Sequence, residues 1–447
     1  MSLYNFKFPS SYSGFWSLNE KVPQTPGVLS LSGNAFKLDL HSQTSISEWR
    51  NIKSSEKIYG CATNNEDGYV YFFILDHPSY FSHIQASINR VSFIIDSIVL
   101  CEKREIKRDL IKSTCIRTSL CDKWFHEEII NSFHYNDGNG TQYKSMLSFS
   151  QHPKIYLYRG SKRSIYVYFG FCYNQKQLMR AIDSRAFINI DFNNRLLTES
   201  EADEETRKIS QFFTLLWDES FDPEFVSYRS DNNEYCKKVS ERCSYKCIDT
   251  LYPKSIYSSY EDFANEDLLQ SMIDKWLNLY NDYSDAIYTY FDTISNYRIA
   301  PGLVLKNYIS VLDALSSINF CAKEKKLSDK VPELLRILEP YTIAEQVKQR
   351  ILKLFTTEIE KFLKERIREL VKSLHGLISE KITEDFITKA VNTRHNMTHP
   401  KKKYANCFSE EDLPDVNIYL SQIIRAFYMQ KIGVPNETIM KIVVSLS

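Results

Sequence analysis

The hydrophobic period of this 447-residue chain changes near Phe263. Before that point, apolar residues alternate with polar ones over short runs separated by turn residues, the pattern of half-buried strands. After it, apolar residues recur every three to four positions, the pattern of amphipathic helices. Strand and helix periods do not interchange, so the chain should fold as a β-rich part followed by an α part. We expect an α+β multidomain protein: residues 1–197 an antiparallel β-rich sandwich or barrel-like domain, 198–262 a connecting region, and 263–447 an all-α helical bundle.

In the first part, Val28–Ser32 and Ala35–Leu40 flank Gly33-Asn34, which reads as a hairpin. Lys57–Cys61 and Tyr69–Leu75 flank a polar loop containing Gly68, and Ile155–Arg159 and Ile165–Phe171 flank Gly160–Arg163. Val91–Cys101 is a longer strand, and Phe187–Phe192 is placed as the strand that closes the sheet. Thr198–Glu205 opens a helix running through Trp217, and Phe221–Asp262 reads as irregular. In the second part, Leu268–Tyr280 and Tyr283–Tyr297 read as helices, and Pro301-Gly302 breaks the pattern. Val304–Phe320 is the next helix, with Asp313 inside it, and Lys323–Lys326 with Ser328–Lys330 a basic link. Pro332–Leu338 reads as a short helix. Thr342–His375 reads as a long one with ion pairs such as Glu360–Lys364, ending near Gly376. Thr383–Thr398 and Asp412–Met429 follow.

Composition narrows the function classes. Lys plus Arg and Asp plus Glu both number 56, so no global charge draws the chain to nucleic acid, and any such contact must be local. The start of the chain lacks a basic region followed by an apolar core, and no apolar run approaches a membrane span. With ten dispersed cysteines, this reads as a cytoplasmic protein with reduced thiols and no membrane partner. Cys236, Cys243 and Cys247 lie close together, but their spacing is not that of a zinc knuckle, and free thiols are the simpler reading. The β part shows no glycine-rich phosphate loop and no nucleophile elbow.

The chemistry concentrates in Val391–Lys403, V-N-T-R-H-N-M-T-H-P-K-K-K. Thr383 with Glu384 and Asp385 is a helix start, because a side-chain acceptor and carboxylates suit that end of the dipole. Pro400 keeps His399 out of the helical region, so the helix should stop near Thr398 and free His399 to fold back toward Arg394. Histidine exchanges protons near neutral pH, and arginine grips two phosphate oxygens with a planar fork. RNA carries its own nucleophile, the 2′-hydroxyl, so this pair can serve phosphodiester cleavage with no metal or other cofactor. Lys401, Lys402 and Lys403 would hold neighbouring phosphates. Taken alone, Arg-x4-His is a common spacing, and a cationic helix end is ordinarily a solvated terminus. His395 and His399 also have the spacing of H-E-x-x-H, but Asn396 stands where a zinc protease has its glutamate.

A helical bundle whose late helix ends Arg394-His395, three residues, His399 resembles the HEPN superfamily. Trp276 and the Ile309–Leu315 segment with Asp313 fall where the ApeA-like HEPN group has a tryptophan and an acidic residue. Gly14-Phe15-Trp16 and Pro26-Gly27-Val28-Leu29 resemble the ApeA N-terminal domain, although Ser17-Leu18-Asn19 departs from its pattern. The resemblance implies a metal-independent endoribonuclease of antiphage defence, working by abortive infection on RNA, with tRNA as the suggested target. It implies a composite site in a homodimer or higher homo-oligomer, and an N-terminal domain that senses a phage-derived trigger or restrains the nuclease. By carry-over His399 is the acid/base, Arg394 the phosphate stabiliser, His395 an orienting group and Asp313 a residue that orients Arg394. The rival is a non-catalytic HEPN module that binds nucleotide or RNA or serves as a scaffold.

Overall fold

The computed structural model describes residues 11–18, 25–32, 35–42, 57–64, 70–85, 88–101, 110–117, 130–136, 143–149, 154–176, 179–217, 225–230, 235–240, 260–263, 266–295, 299–328, 363–399 and 404–444, with positions 49, 121, 124, 125, 336 and 347. The chain divides into two compact units: Met1–Ser210 with Phe221–Glu261, and Gln211–Ser220 with Asp262–Ser447.

The first unit is antiparallel β-structure. β1 (Tyr12–Leu18) lies between β2 (Thr25–Ser32) and β4 (Ile58–Asn64), followed outward by β3 (Ala35–Ser42), β5 (Val70–Gln85) and β6 (Ile88–Cys101). Because β6 pairs with both β3 and β5, the order β6-β3-β2-β1-β4-β5 closes on itself as a ring. The alternate residues pointing inward form one apolar core: Tyr12, Trp16, Leu29, Phe36, Leu38, Phe73 and Phe93 are all 1% exposed or less. Gly60 is required there, since a Cβ on it would stand 2.2 Å from the Trp16 ring. β5 runs on through Pro78, past the end expected at Leu75. β4 pairs β5 only as far as Leu75, so among the described residues Pro78 is paired on the β6 side alone, where a missing N–H is tolerated.

The rest of the sheet leaves the ring through β6, which also pairs β14 (Tyr235–Ser240). The order continues through β13 (Phe225–Ser230), β7 (Ile111–Arg117), β12 (Met179–Asp191), β11 (Ser164–Lys176) and β10 (Ile155–Arg159), while β8 (Ile130–Asn136) and β9 (Tyr143–Phe149) form a separate hairpin. Two expectations are corrected. Phe187–Phe192 does not close the sheet: β12 is internal, between β11 and β7, and the closure is β5 on β6. Phe225–Ser240 is a hairpin rather than irregular chain, because neighbouring strands complete the hydrogen bonds its mixed composition does not announce. The helix α1 (Glu199–Trp217) opens with a capping box, Glu201 N–H donating to Thr198 Oγ1 at 3.3 Å and Thr198 N–H to the Glu201 carboxylate at 2.9 Å. Its first turns cover one face of this sheet: Thr206 donates to Thr114 (3.0 Å), Tyr228 to Asp203, and Arg163 pairs with Glu205.

The second unit is helical. α2 (Glu266–Ser295) is two helical segments meeting at a kink at Tyr283 (φ −128°), and α3 (Pro301–Ser328) begins at the proline expected to break the pattern, because Pro suits a first helical turn. α3 also extends through Lys323–Lys326, the stretch expected as a basic link. Residues 363–373 form α4, followed by α5 (Glu384–Thr398), α6 (Leu413–Ile432) and α7 (Asn436–Val444). α3 packs on α2, α5 and α6. Trp276, fully buried, is ringed by Phe212, Tyr280, Phe291 and Tyr428 at centroid distances of 5.5 to 6.4 Å. Pro332–Leu338, and Thr342–His375 before residue 363, lie outside the described residues except at positions 336 and 347. Among the described residues no helix is long and apolar enough to cross a membrane.

Candidate functional site

α5 starts where the sequence places it. Thr383 is extended (φ −85°, ψ 171°), and its hydroxyl accepts from Phe386 N–H at 3.2 Å. The inward face is Phe386, Ile387, Ala390 and Val391, and this face seats the helix in the bundle. Met397, expected on that face, is 42% exposed, because the last turn runs past the core.

The helix ends as expected. His399 N–H still reaches the His395 carbonyl at 2.8 Å, but its ψ of 72° turns the chain out of the helix. The His399 side chain is exposed and the His395 side chain is 6% exposed. Their rings lie nearly parallel, with centroids 6.4 Å apart and planes 26° apart. The His395 ring also neighbours Tyr404, centroid distance 5.6 Å, and Lys364 Nζ is 5.9 Å from the Tyr404 ring. The ring beside that of His399 is therefore His395. Arg394 is half-buried, and its Nε is shielded from water without a hydrogen-bond partner. Among the described residues its guanidinium makes no ion pair, so it is available to an anion.

The chain after the motif is strapped to the same helix. Asn396 Nδ2 donates to the Tyr404 carbonyl (3.1 Å), and Tyr404 N–H donates to Asn396 Oδ1 (2.8 Å). Asn392 Nδ2 donates to the Asn406 carbonyl (3.0 Å), and Lys364 Nζ donates to Asn392 Oδ1 (2.7 Å). Phe408 N–H donates to Thr393 Oγ1 (2.9 Å), and Asn406 donates to Asp385 (3.0 Å). The bond from Lys389, and with it that from Asn406, holds the exposed Asp385 carboxyl below its usual range. Sequence reasoning passed over Asn392 and Asn396. Their signal is two amides four apart on one helix face, opposite a polar loop.

The resemblance has Asp313 orienting Arg394. Among the described residues the partner of its carboxylate is Arg366, whose Nη2 donates at 2.6 Å. Lys401, Lys402 and Lys403 lie outside the described residues, as do Pro400, Cys243 and Cys247. Cys236 is on β14 opposite Cys101, and the described Cys61, Cys101, Cys115, Cys121 and Cys407 are free thiols. Among the described residues no three His, Cys, Asp or Glu side chains gather as a metal site. Asn396, which stands at the zinc-protease glutamate position, is committed to the strap.

A β-rich unit joined to a helical bundle whose late helix closes on Arg-x4-His defines an ApeA-type, HEPN-bearing architecture. The Apea-like HEPN model matches residues 307–438, and the ApeA N-terminal domain 1 model matches residues 11–291. The chain belongs to the ApeA-like HEPN family. No curated protein and no solved structure matches the chain.

Proposed function

We propose that this protein is a metal-independent endoribonuclease of antiphage defence, acting in the cytoplasm by abortive infection. The observation that carries the reading is the end of α5: an exposed imidazole at the C-cap, one helical turn beyond a half-buried guanidinium with no ion-pair partner among the described residues. Family membership supports the defence role.

In this reading Arg394 holds the scissile phosphate, and its charge is worth most where water is excluded. His399 takes the proton from the 2′-hydroxyl. The 2′-oxygen forms a bond to phosphorus, the bond from phosphorus to the 5′-oxygen breaks, and the leaving oxygen takes up a proton. A second imidazole, supplied by another copy of the chain, gives that proton, which makes the site composite in a dimer or larger homo-oligomer. The products are a 2′,3′-cyclic phosphate and a 5′-hydroxyl. His395, in ring contact with both Tyr404 and His399, sets the orientation of the His399 ring. Asp313 acts through Arg366. Lys401, Lys402 and Lys403 supply phosphate contacts, with tRNA the first substrate to test. The β-rich unit receives a phage-derived trigger or restrains the nuclease.

The test is digestion of RNA by purified protein in EDTA, comparing wild type with His399→Ala. Cleavage by the wild type alone supports the reading. Binding without cleavage by the wild type leaves the non-catalytic module, and equal cleavage by both removes His399 from the site.

A further inference from the structure

The β-rich unit holds a cavity that no strand sequence announces. It measures about 270 Å³ and is lined by Ser113, Cys115, Lys154, Tyr166, Tyr168, Asn189, Ser227 and Arg229. These residues meet only through sheet register. Tyr166 stands opposite Asn189, Asn189 opposite Cys115, and Cys115 opposite Ser227, so β11, β12, β7 and β13 contribute one rank across the sheet. Two residues along, Asp191, Ser113 and Arg229 form the next rank on the same face. The opposite face carries Thr114 and Tyr228, which α1 covers. One side of this sheet is thus packed, and the other presents polar groups to a hollow.

The floor is polar and nearly closed to solvent. Ser113, Cys115, Asn189 and Ser227 are 6 to 8% exposed. The Cys115 thiol is 3.2 Å from the Tyr168 hydroxyl, and burial pushes its pKa up to about 11, which makes it an inert part of the wall. Among the described residues the Asn189 amide and the Ser113 hydroxyl make no side-chain hydrogen bond. Buried polar groups are ordinarily paired, so groups left open toward a hollow are served by what fills it. The two cations lining the cavity, Lys154 and Arg229, are exposed at its edge, and Lys154 Nζ sits 4.3 Å from the Tyr166 ring centroid. The nearby Asp191 carboxylate accepts from Asn193 N–H at 3.1 Å. The wall carries two aromatic rings, Tyr166 and Tyr168, with centroids 6.5 Å apart.

We propose that this cavity binds a nucleoside monophosphate. An amide that both donates and accepts, with two hydroxyls beside it, suits the edge of a base. Tyrosine rings suit its face, and two cations at the edge suit one phosphate. The volume, about 270 Å³, suits a mononucleotide, and none of the lining residues belongs to the RNA chemistry proposed for α5.

The test is calorimetric titration of the full-length protein with AMP, GMP, CMP and UMP, the matching nucleosides, and inorganic phosphate. Saturable binding of at least one monophosphate is expected, with its nucleoside and free phosphate each weaker. Lys154→Gln with Arg229→Gln should weaken it by about tenfold or more. Both residues are exposed, so the thermal midpoint should hold, and Asn189→Ser should weaken binding and change the base preference. No saturable binding of any monophosphate overturns the proposal. So does phosphate alone binding as tightly, or affinity unchanged in the double variant.

Discussion

In the helical unit the polar groups around the motif come mainly from one stretch, Asn392 to Phe408, and reach one another across a single helix end and the loop strapped to it. In the β-rich unit the polar groups of the cavity come from strands spread between Ser113 and Arg229, and they meet only because β11, β12, β7 and β13 pair in one register. The first arrangement is set by local rules: a cap, a turn and a proline. The second is set by long-range pairing, where a slip of one residue would turn every lining side chain to the other face. Damage to the sheet should therefore erase the cavity, whereas damage to one strap bond should loosen only a loop.

The largest effect is expected at the core of the ring. Trp16→Ala removes a fully buried indole that packs against Phe73 at 5.7 Å, and should cost about 3–5 kcal/mol. Hydrogen exchange should show protection lost across β1, β4 and β5. Next is Asn396→Ala, which removes both bonds to Tyr404 and should cost about 1–3 kcal/mol. The exchange rate of the Tyr404 amide should rise while those of β1 to β6 stay unchanged; protection lost in the ring as well would break the contrast between the two regions. Thr383→Ala removes the N-cap of α5 and should cost about 1 kcal/mol, read from chemical denaturation.

How much of this was legible in the sequence follows the same division. The limits of α5 could be read because Thr383 and Pro400 act on their immediate neighbours, and the hairpin at Gly33-Asn34 could be read for the same reason. The end of β5 was placed too early, at Leu75, since whether a strand runs on through Pro78 depends on its neighbours there, which are a property of the fold. Phe225–Ser240 was missed because its strands are supported by β7 and β6 rather than by a strong pattern of their own. The strap was missed because the pair of amides on one helix face gains its meaning only when the loop it binds is placed. No reading of single strands could bring Asn189, Cys115 and Ser227 side by side.

The smallest effect concerns Cys115. Burial raises its pKa from 9.0 to about 11, so the folded state favours the neutral thiol. Its contribution to stability is full below pH 9.0 and is lost as pH rises toward about 11. At pH 8, peptide mapping after alkylation should show Cys407, which is half-buried, modified well before Cys115. Equal rates would mean that the cavity wall is open.

The central claim is that the imidazole and guanidinium at the end of α5 cut RNA without a metal. It is tested most directly by mapping the ends of RNA incubated in EDTA with purified wild-type protein and with His399→Ala. The account predicts 2′,3′-cyclic phosphate and 5′-hydroxyl ends with the wild type, and a rate lower by about 10²–10⁴-fold with His399→Ala at an unchanged thermal midpoint. Cleavage that requires a divalent metal, or that proceeds equally in both proteins, would contradict it.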